Sequence, residues 1–300
     1  MQDKESKIEV KRRGNKLGFW FFKFFLRIFG LIGAYALLYF VSLHYLIFDR
    51  LAVNNALSYI KRRFPKARFF KDWLNVYRLF VNQGKQLIDR FVIVSGKQIF
   101  NIELKGFDKL NDLLNDKEKG FVLLTAHVGN WQIALTALKE MRRPVYLIMR
   151  PEDNLAVKES LNIDNQDNSI RIISPEGYLG GVVESMNALK SGNIVSIMGD
   201  RKYGFEALEV PFLKDIAYFP FGAFSIAASS NCPVVVLLSA KISRYKYIVD
   251  VSNIIYPHYD SKIDKRKQLS AYVQEFAAIL ERYVLEFPYQ CFLFHDVWKK

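Results

Sequence analysis

The segment FVLLTAHVGNWQIAL, residues 121–135, holds the side chain with the most chemistry to offer. His127 follows an apolar run and precedes Gly129 and Asn130, two turn-forming types, after which a helical pattern begins. An imidazole titrates near neutrality and can therefore take a proton as a general base. With 121–126 as a strand of an α/β sheet, His127 stands at its carboxyl end, where such sheets bind ligands, and the next helix aims unpaired N–H groups at the same crevice. A lone histidine at a turn can also be purely structural; the strand, turn and helix order favours the chemical role.

Other chemistries lack their residues. Cys232 and Cys291 are far apart, have apolar neighbours and no metal-ligand spacing, so both are expected as buried core thiols. His44, His127, His258 and His295 occur singly, which argues against a metal cluster. No G-x-x-x-x-G-K-[ST], no G-x-G-x-x-G after a strand and no G-x-S-x-G is present. Nucleotide-driven chemistry and a serine-nucleophile hydrolase are disfavoured accordingly.

The elements that must position His127 are legible from about residue 100 onward. Apolar runs at 121–126, 144–149, 170–174, 193–199, 233–240 and 245–252 predict strands. Several are continuous and β-branched, as for strands buried on both faces. Helical patterns lie between them at 130–141, 178–190, 222–230 and 265–286. This alternation predicts an α/β fold, a mixed and largely parallel sheet flanked by helices.

The first hundred residues differ. They hold 19 Lys+Arg against 6 Asp+Glu, while residues 101–300 hold 24 of each, so the net +13 belongs to the N-terminal third. A nucleic-acid reader carries its charge on the folded body, so that class is disfavoured. A composition 51% hydrophobic excludes intrinsic disorder. Ile28–Phe48 contains no formally charged side chain, and at about 1.5 Å per residue it is long enough to cross a hydrocarbon layer of roughly 30 Å. The preceding GFWFFKFFLR suits a membrane interface. A cleavable signal is the rival reading, but the run exceeds the usual apolar core and no small-residue cleavage site follows. Both flanks are basic, with eight Lys+Arg in residues 1–27 and Arg50, Lys61, Arg62, Arg63, Lys66 and Arg68 beyond, so a single span and a dip into one leaflet both fit. Residues 51–91 read as helical, either lying on an anionic leaflet or forming a solvated helix of the globular body. The expected division is a basic segment and membrane anchor at 1–50, then an α/β domain at 51–300 whose lead-in, 51–100, is basic and helical.

His-x-Gly-Asn-Trp after a buried strand resembles the lipid A biosynthesis acyltransferases, the lauroyl and myristoyl transferases of the lysophospholipid acyltransferase superfamily. The resemblance runs along most of the chain. GNIVSIMGDR (192–201) resembles that family's strand with a Gly-Asp-Arg ending. VPFLKDIAYFPFGAFSIAASSNCPVVVLL (210–238) resembles its hairpin, Pro-x-Gly helix and following strand, and PYQCFLFHDVW (288–298) its closing aromatic block. The family hallmark, His-x4-Asp/Glu, is broken here because position 132 is Gln.

What the resemblance implies is a membrane-anchored acyltransferase that moves a fatty acyl chain from an acyl carrier protein or coenzyme A thioester to a lipid or glycolipid hydroxyl or amine. His127 would be the base, no metal or cofactor would be needed, and the site would face the cytoplasm at a bacterial inner membrane. Gln132 could accept a ring N–H but carries no charge to offset an imidazolium. Asp200, ending the strand 193–199, is the expected substitute carboxylate, unless it pairs with Arg201. Arg201 suits a phosphate or phosphopantetheine group. Asn130, Trp131, Phe219, Pro220 and Gly222 are expected to shape the substrate pocket. An anionic membrane surface is a further expected partner and nucleic acid is not. The alternative is a lipid-binding homologue impaired in catalysis by the loss of the carboxylate at 132.

Overall fold

The structure, a computed structural model, describes residues 16–138, 143–149, 170–175, 178–201, 206–293 and 297–298. Three helices come first: α1 (Lys16–Phe48), α2 (Arg50–Arg63) and α3 (Phe69–Val94). The strands β1 (Asn101–Lys105), β2 (Phe121–Thr125), β3 (Val145–Ile148), β4 (Ile170–Ile173), β5 (Ile194–Met198), β8 (Val234–Lys241) and β9 (Lys246–Ile255) form one sheet in the order β1-β9-β8-β2-β5-β3-β4. The five strands from β8 to β4 are parallel; β9 is antiparallel to β8 and carries β1 parallel to itself. A separate hairpin, β6 (Ala207–Phe212) with β7 (Asp215–Pro220), precedes the strand β8. Helices α4 (Phe107–Asn115), α5 (Trp131–Leu138), α6 (Val182–Lys190), α7 (Gly222–Ser229) and α8 (Lys265–Glu286), with short 3₁₀ helices at Tyr178–Gly181 and Pro288–Gln290, complete the described elements.

The continuous apolar runs are explained by burial on both sheet faces. Every residue of β2 is buried, with Val122 and Leu124 in a cluster with Val234, Phe276 and Leu280, and Phe121 and Leu123 in a second one with Leu110, Val235 and Val249. The two-residue period of a strand thus feeds two cores at once. Helix α8 occupies the range its pattern predicts, capped by the Asp264 carboxylate on the Arg266 N–H, and buries Leu269, Val273, Phe276, Leu280 and Val284 along one stripe.

Some expectations shift. The predicted helix 130–141 is described as 131–138, and 139–141 lie outside the described residues. Residues 178–181 form a 3₁₀ turn before α6. Strand β9 is longer than 245–252, while β1 and α4 escaped the pattern because they are short and half-exposed. The helical stretch 51–91 is two helices broken around Pro65.

Both of those helices pack on the body. Ala52, Ala56, Tyr59 and Ile60 of α2, and Val76, Leu79 and Phe80 of α3, enter the same core as β2 and α8. Several cations of the basic lead-in are held by protein. Arg62 pairs with Asp215 at 2.8 Å and lies over the Trp298 ring, Arg63 donates to the carbonyls of Val284 and Leu285, and Arg90 donates to Gln132. At the α2–α3 turn, by contrast, Lys61, Lys66, Arg68 and Lys71 are exposed beside Phe69 and Phe70, which are 68% and 85% exposed.

Helix α1 contains the apolar stretch Phe21–Phe48, a membrane-helix candidate by length and composition. It kinks at Gly30, whose φ of 63° suits a residue without Cβ. Beyond the kink, Leu31, Ala34, Tyr35 and Leu38 face Ile88 and Val92 of α3; Ile28 and Phe29 before it, and Ile32, Phe40, Ile47 and Phe48 after it, are exposed. Gly84 permits this contact, because a Cβ there would come within 2.2 Å of Leu38.

Candidate active site

Strand register places the central pair. β2 and β5 are adjacent and parallel, with Thr125 opposite Met198, so the chains leave the sheet side by side and reach His127 and Asp200 two residues later. The Gly199 N–H still donates to the Thr125 carbonyl at 2.8 Å, extending the ladder one step toward the site. Both oxygens of the Asp200 carboxylate lie 2.9 Å from His127 Nδ1, and Oδ2 also accepts the His127 backbone N–H at 3.0 Å. The Asp200 side chain is fully buried, and that of His127 is 19% exposed. A carboxylate against Nδ1 favours the tautomer protonated there, in which the basic lone pair is on Nε2.

Gln132, on the first turn of α5, is buried, and its Oε1 accepts from Arg90 Nη1 at 3.1 Å. Burial pulls the Arg90 guanidinium below its ordinary value. A neutral acceptor satisfies one of its donors without adding a second buried charge.

The turn carrying His127 is braced from three sides by residues that sequence reasoning missed. The C-terminal segment lies along it: the Phe292 N–H donates to the His127 carbonyl at 2.7 Å, the Gly129 N–H donates to the Gln290 carbonyl at 2.8 Å, and Val128 forms a bridge with Cys291. Ser239 of β8 accepts the Asn130 N–H through Oγ at 2.8 Å, and the Tyr283 hydroxyl donates to the Ser239 carbonyl. From α3, the Gln86 carbonyl accepts from Asn130 Nδ2, and Gln86 Nε2 donates to Gln290 Oε1. Gly129 has φ +53°, and a Cβ there would lie 1.5 Å from the Ser239 carbonyl oxygen, so only glycine fits. Gln290 stood within the closing block at 288–298, but a buried amide hydrogen-bonded to Gln86 of α3 and to the Lys241 backbone of β8 leaves no local pattern to read.

The remaining expected site residues take the following places. Asn130 caps α5, its Oδ1 accepting the Ile133 N–H, and Trp131 is half-buried against the cluster containing Leu123 and Leu147. Arg201 directly follows Asp200 and is half-buried. Phe219 is wholly buried, with ring centroids 5.4 Å from Phe212 and 6.1 Å from Phe276, while Pro220 ends β7 and Gly222 opens α7, both buried. The structure brings His127 and Asp200 into direct contact. Asn130 and Gln132 form the start of the adjoining helix, whereas Phe219, Pro220 and Gly222 belong to the hairpin–helix corner.

Cys232 and Cys291 are both buried and free. Burial pushes each thiol above its ordinary range, and for Cys291 the nearby Asp200 charge adds to the effect. A raised value means less thiolate at any given pH. Neither cysteine is therefore expected to react with a thiol reagent at pH 8 over minutes while the protein is folded, and both should react promptly in denaturant; fast labelling of the native protein would contradict this.

A histidine held on a buried carboxylate lies at the carboxyl edge of a largely parallel α/β sheet, the edge at which such sheets bind ligands. Residues 90–300 match the family described as bacterial lipid A biosynthesis acyltransferase, and the chain belongs to that family. It is an acyltransferase by that membership; the family indicates activity in lipid A biosynthesis, with an acyl donor and a lipid acceptor as the general partners. The apolar helix α1 is compatible with a membrane location. Among curated proteins none matches the chain.

Proposed function

We propose that this protein transfers a fatty acyl chain from an acyl carrier protein or coenzyme A thioester to a hydroxyl or amine of a lipid or glycolipid, with His127 as general base. His127 Nε2 takes the proton of the acceptor group as its oxygen or nitrogen attacks the thioester carbonyl. The C–S bond then breaks, and the departing thiolate collects the proton from the imidazolium. Asp200 holds the ring and offsets the imidazolium charge, the part assigned by resemblance to the acidic residue at position 132. The observation that carries this reading is the contact of 2.9 Å between His127 Nδ1 and Asp200.

In this reading Asn130 and Trp131 set the wall of the site at the start of α5, and Arg201 binds a phosphate of donor or acceptor. Phe219, Pro220 and Gly222 form the turn into α7 that shapes the acceptor pocket. Residues 1–50 anchor the enzyme to the cytoplasmic face of a bacterial inner membrane, and the α/β domain at 51–300 works beside it. The exposed Phe69 and Phe70 among lysines at the α2–α3 turn support contact with an anionic leaflet.

The test is transfer itself. Full-length protein in detergent is given labelled acyl-carrier-protein and acyl-CoA donors with extracted membrane glycolipid, and labelled lipid is measured by thin-layer chromatography. Donor-dependent product is expected. Because Arg90 holds Gln132 and Asp200 holds the ring, Gln132→Glu is expected to change the rate by less than about tenfold, the scale of one modest electrostatic contact. Absence of product with every donor, together with retained lipid binding, would favour a lipid-binding protein impaired in catalysis.

A further inference from the structure

An open cavity of about 710 Å³ lies where α1, α3 and the β8–β9 turn meet. Three of its lining residues are cations, Lys85, Lys241 and Arg244, and none is acidic. Lys241 is answered from behind by Asp89 at 2.6 Å. Lys85 donates to the Tyr39 hydroxyl at 3.3 Å and sits over the rings of Tyr35 and Tyr39, and among the described residues no carboxylate pairs with it or with Arg244. Burial pulls the Lys241 ammonium below its ordinary value, Asp89 opposes this and Lys85 adds to it. Like charges thus converge on a space in which, among the described residues, no carboxylate answers Lys85 or Arg244.

The rim is apolar. Ile32 and Phe40 of α1 line the cavity and are 55% and 75% exposed, continuous with the outward stripe of Ile28, Phe29 and Ile47. A cationic floor beside an apolar rail has the polarity of a phospholipid. Orientation agrees: Tyr35 lies near the middle of the apolar stretch 21–48 and is tied through Asp89 to Lys241. A perpendicular span would carry Lys85, Asp89 and Lys241 to the bilayer centre, where charges are costly. A helix lying along the leaflet keeps them at headgroup depth with the outer stripe in the acyl region.

We propose that this cavity seats the phosphate of an anionic membrane phospholipid between Lys85 and Arg244, with the acyl chains along the exposed stripe of α1. The inference rests on membrane association and not on acyl transfer. The full-length protein in neutral detergent is titrated with dioctanoyl phosphatidylglycerol, dioctanoyl phosphatidylcholine or inorganic phosphate, and bound ligand is counted by native mass spectrometry. Phosphatidylglycerol is expected to bind at least about tenfold more tightly than phosphatidylcholine, and Lys85→Gln with Arg244→Gln to remove that preference, each contributing about tenfold. Thermal melting confirms that the variants are folded. Equal binding of the two lipids, or a double variant that binds as wild type does, would falsify the proposal, and displacement by millimolar phosphate alone would assign the cavity to a free anion instead. Co-sedimentation of wild type with phosphatidylglycerol vesicles separates the readings: its absence removes membrane association, whereas its presence with no selectivity in micelles removes only the cavity.

Discussion

Asp200→Asn is expected to lower acyl transfer by about 10⁴, the size of the effect when an amide replaces the carboxylate supporting a catalytic histidine in serine proteases. The Asp200 carboxylate accepts from both the backbone N–H and the ring Nδ1 of His127. An amide can keep one of these bonds, but it offers a donor as readily as an acceptor, which permits the tautomer with the proton on Nε2 and removes the counter-charge. Because the change acts on proton transfer and not on binding, turnover should fall while KM stays within a few-fold. His127→Ala should reach the same background, and the double variant should fall no further, since residues acting as one unit are strongly non-additive. Steady-state transfer assays on the three variants decide the matter. An Asp200→Asn enzyme within tenfold of wild type, with Gln132→Ala nearly inactive, would return the supporting role to position 132.

The second large effect concerns stability. Asp89 is wholly buried and accepts from Lys241, Tyr35 and Tyr247, joining α1, α3, β8 and β9 at one carboxylate. Burial pushes the Asp89 carboxyl above its ordinary value even though Lys241 and the two hydroxyls draw it down. Asp89→Ala would strand the Lys241 ammonium, whose side chain is only 8% exposed, and breaking such a pair from one side costs about 3–5 kcal/mol. For a domain of this size that corresponds to a fall in Tm on the order of 10 °C. Lys241→Met added to Asp89→Ala is expected to recover part of the loss, because no unpaired charge is then left to desolvate, while the Tyr35 and Tyr247 hydroxyls still lack their acceptor. Differential scanning fluorimetry of single and double variants checks both parts; a double variant as unstable as Asp89→Ala would show that lost packing, not a stranded charge, is the cause.

Much of the fold was legible because its signals are local. The runs at β2, β5 and β8 are apolar apart from Thr125, Ser196, Ser239 and the terminal Lys241, since those strands are buried on both faces, and α8 carries its stripe along its own length with its cap one residue before it. Strand β1 and helix α4 were not legible: the one is five residues with a mixed face, the other nine residues with a single fully buried position. Of the site, His127 was legible by its place after a strand, and Asp200 as the end of another.

By itself, then, the sequence determined that an α/β body follows an apolar helix, that the positive charge is confined to the first third, and that a histidine ends a buried strand. Only the tertiary structure decided which carboxylate meets that histidine. The two are 73 residues apart, and their contact follows from β2 and β5 pairing in parallel with Thr125 opposite Met198. It likewise decided that Gln132 belongs with Arg90, that Gln290 braces the His127 turn, and that α1 lies against α3. Such partnerships rest on register and on packing between distant segments, and no spacing along the chain encodes them.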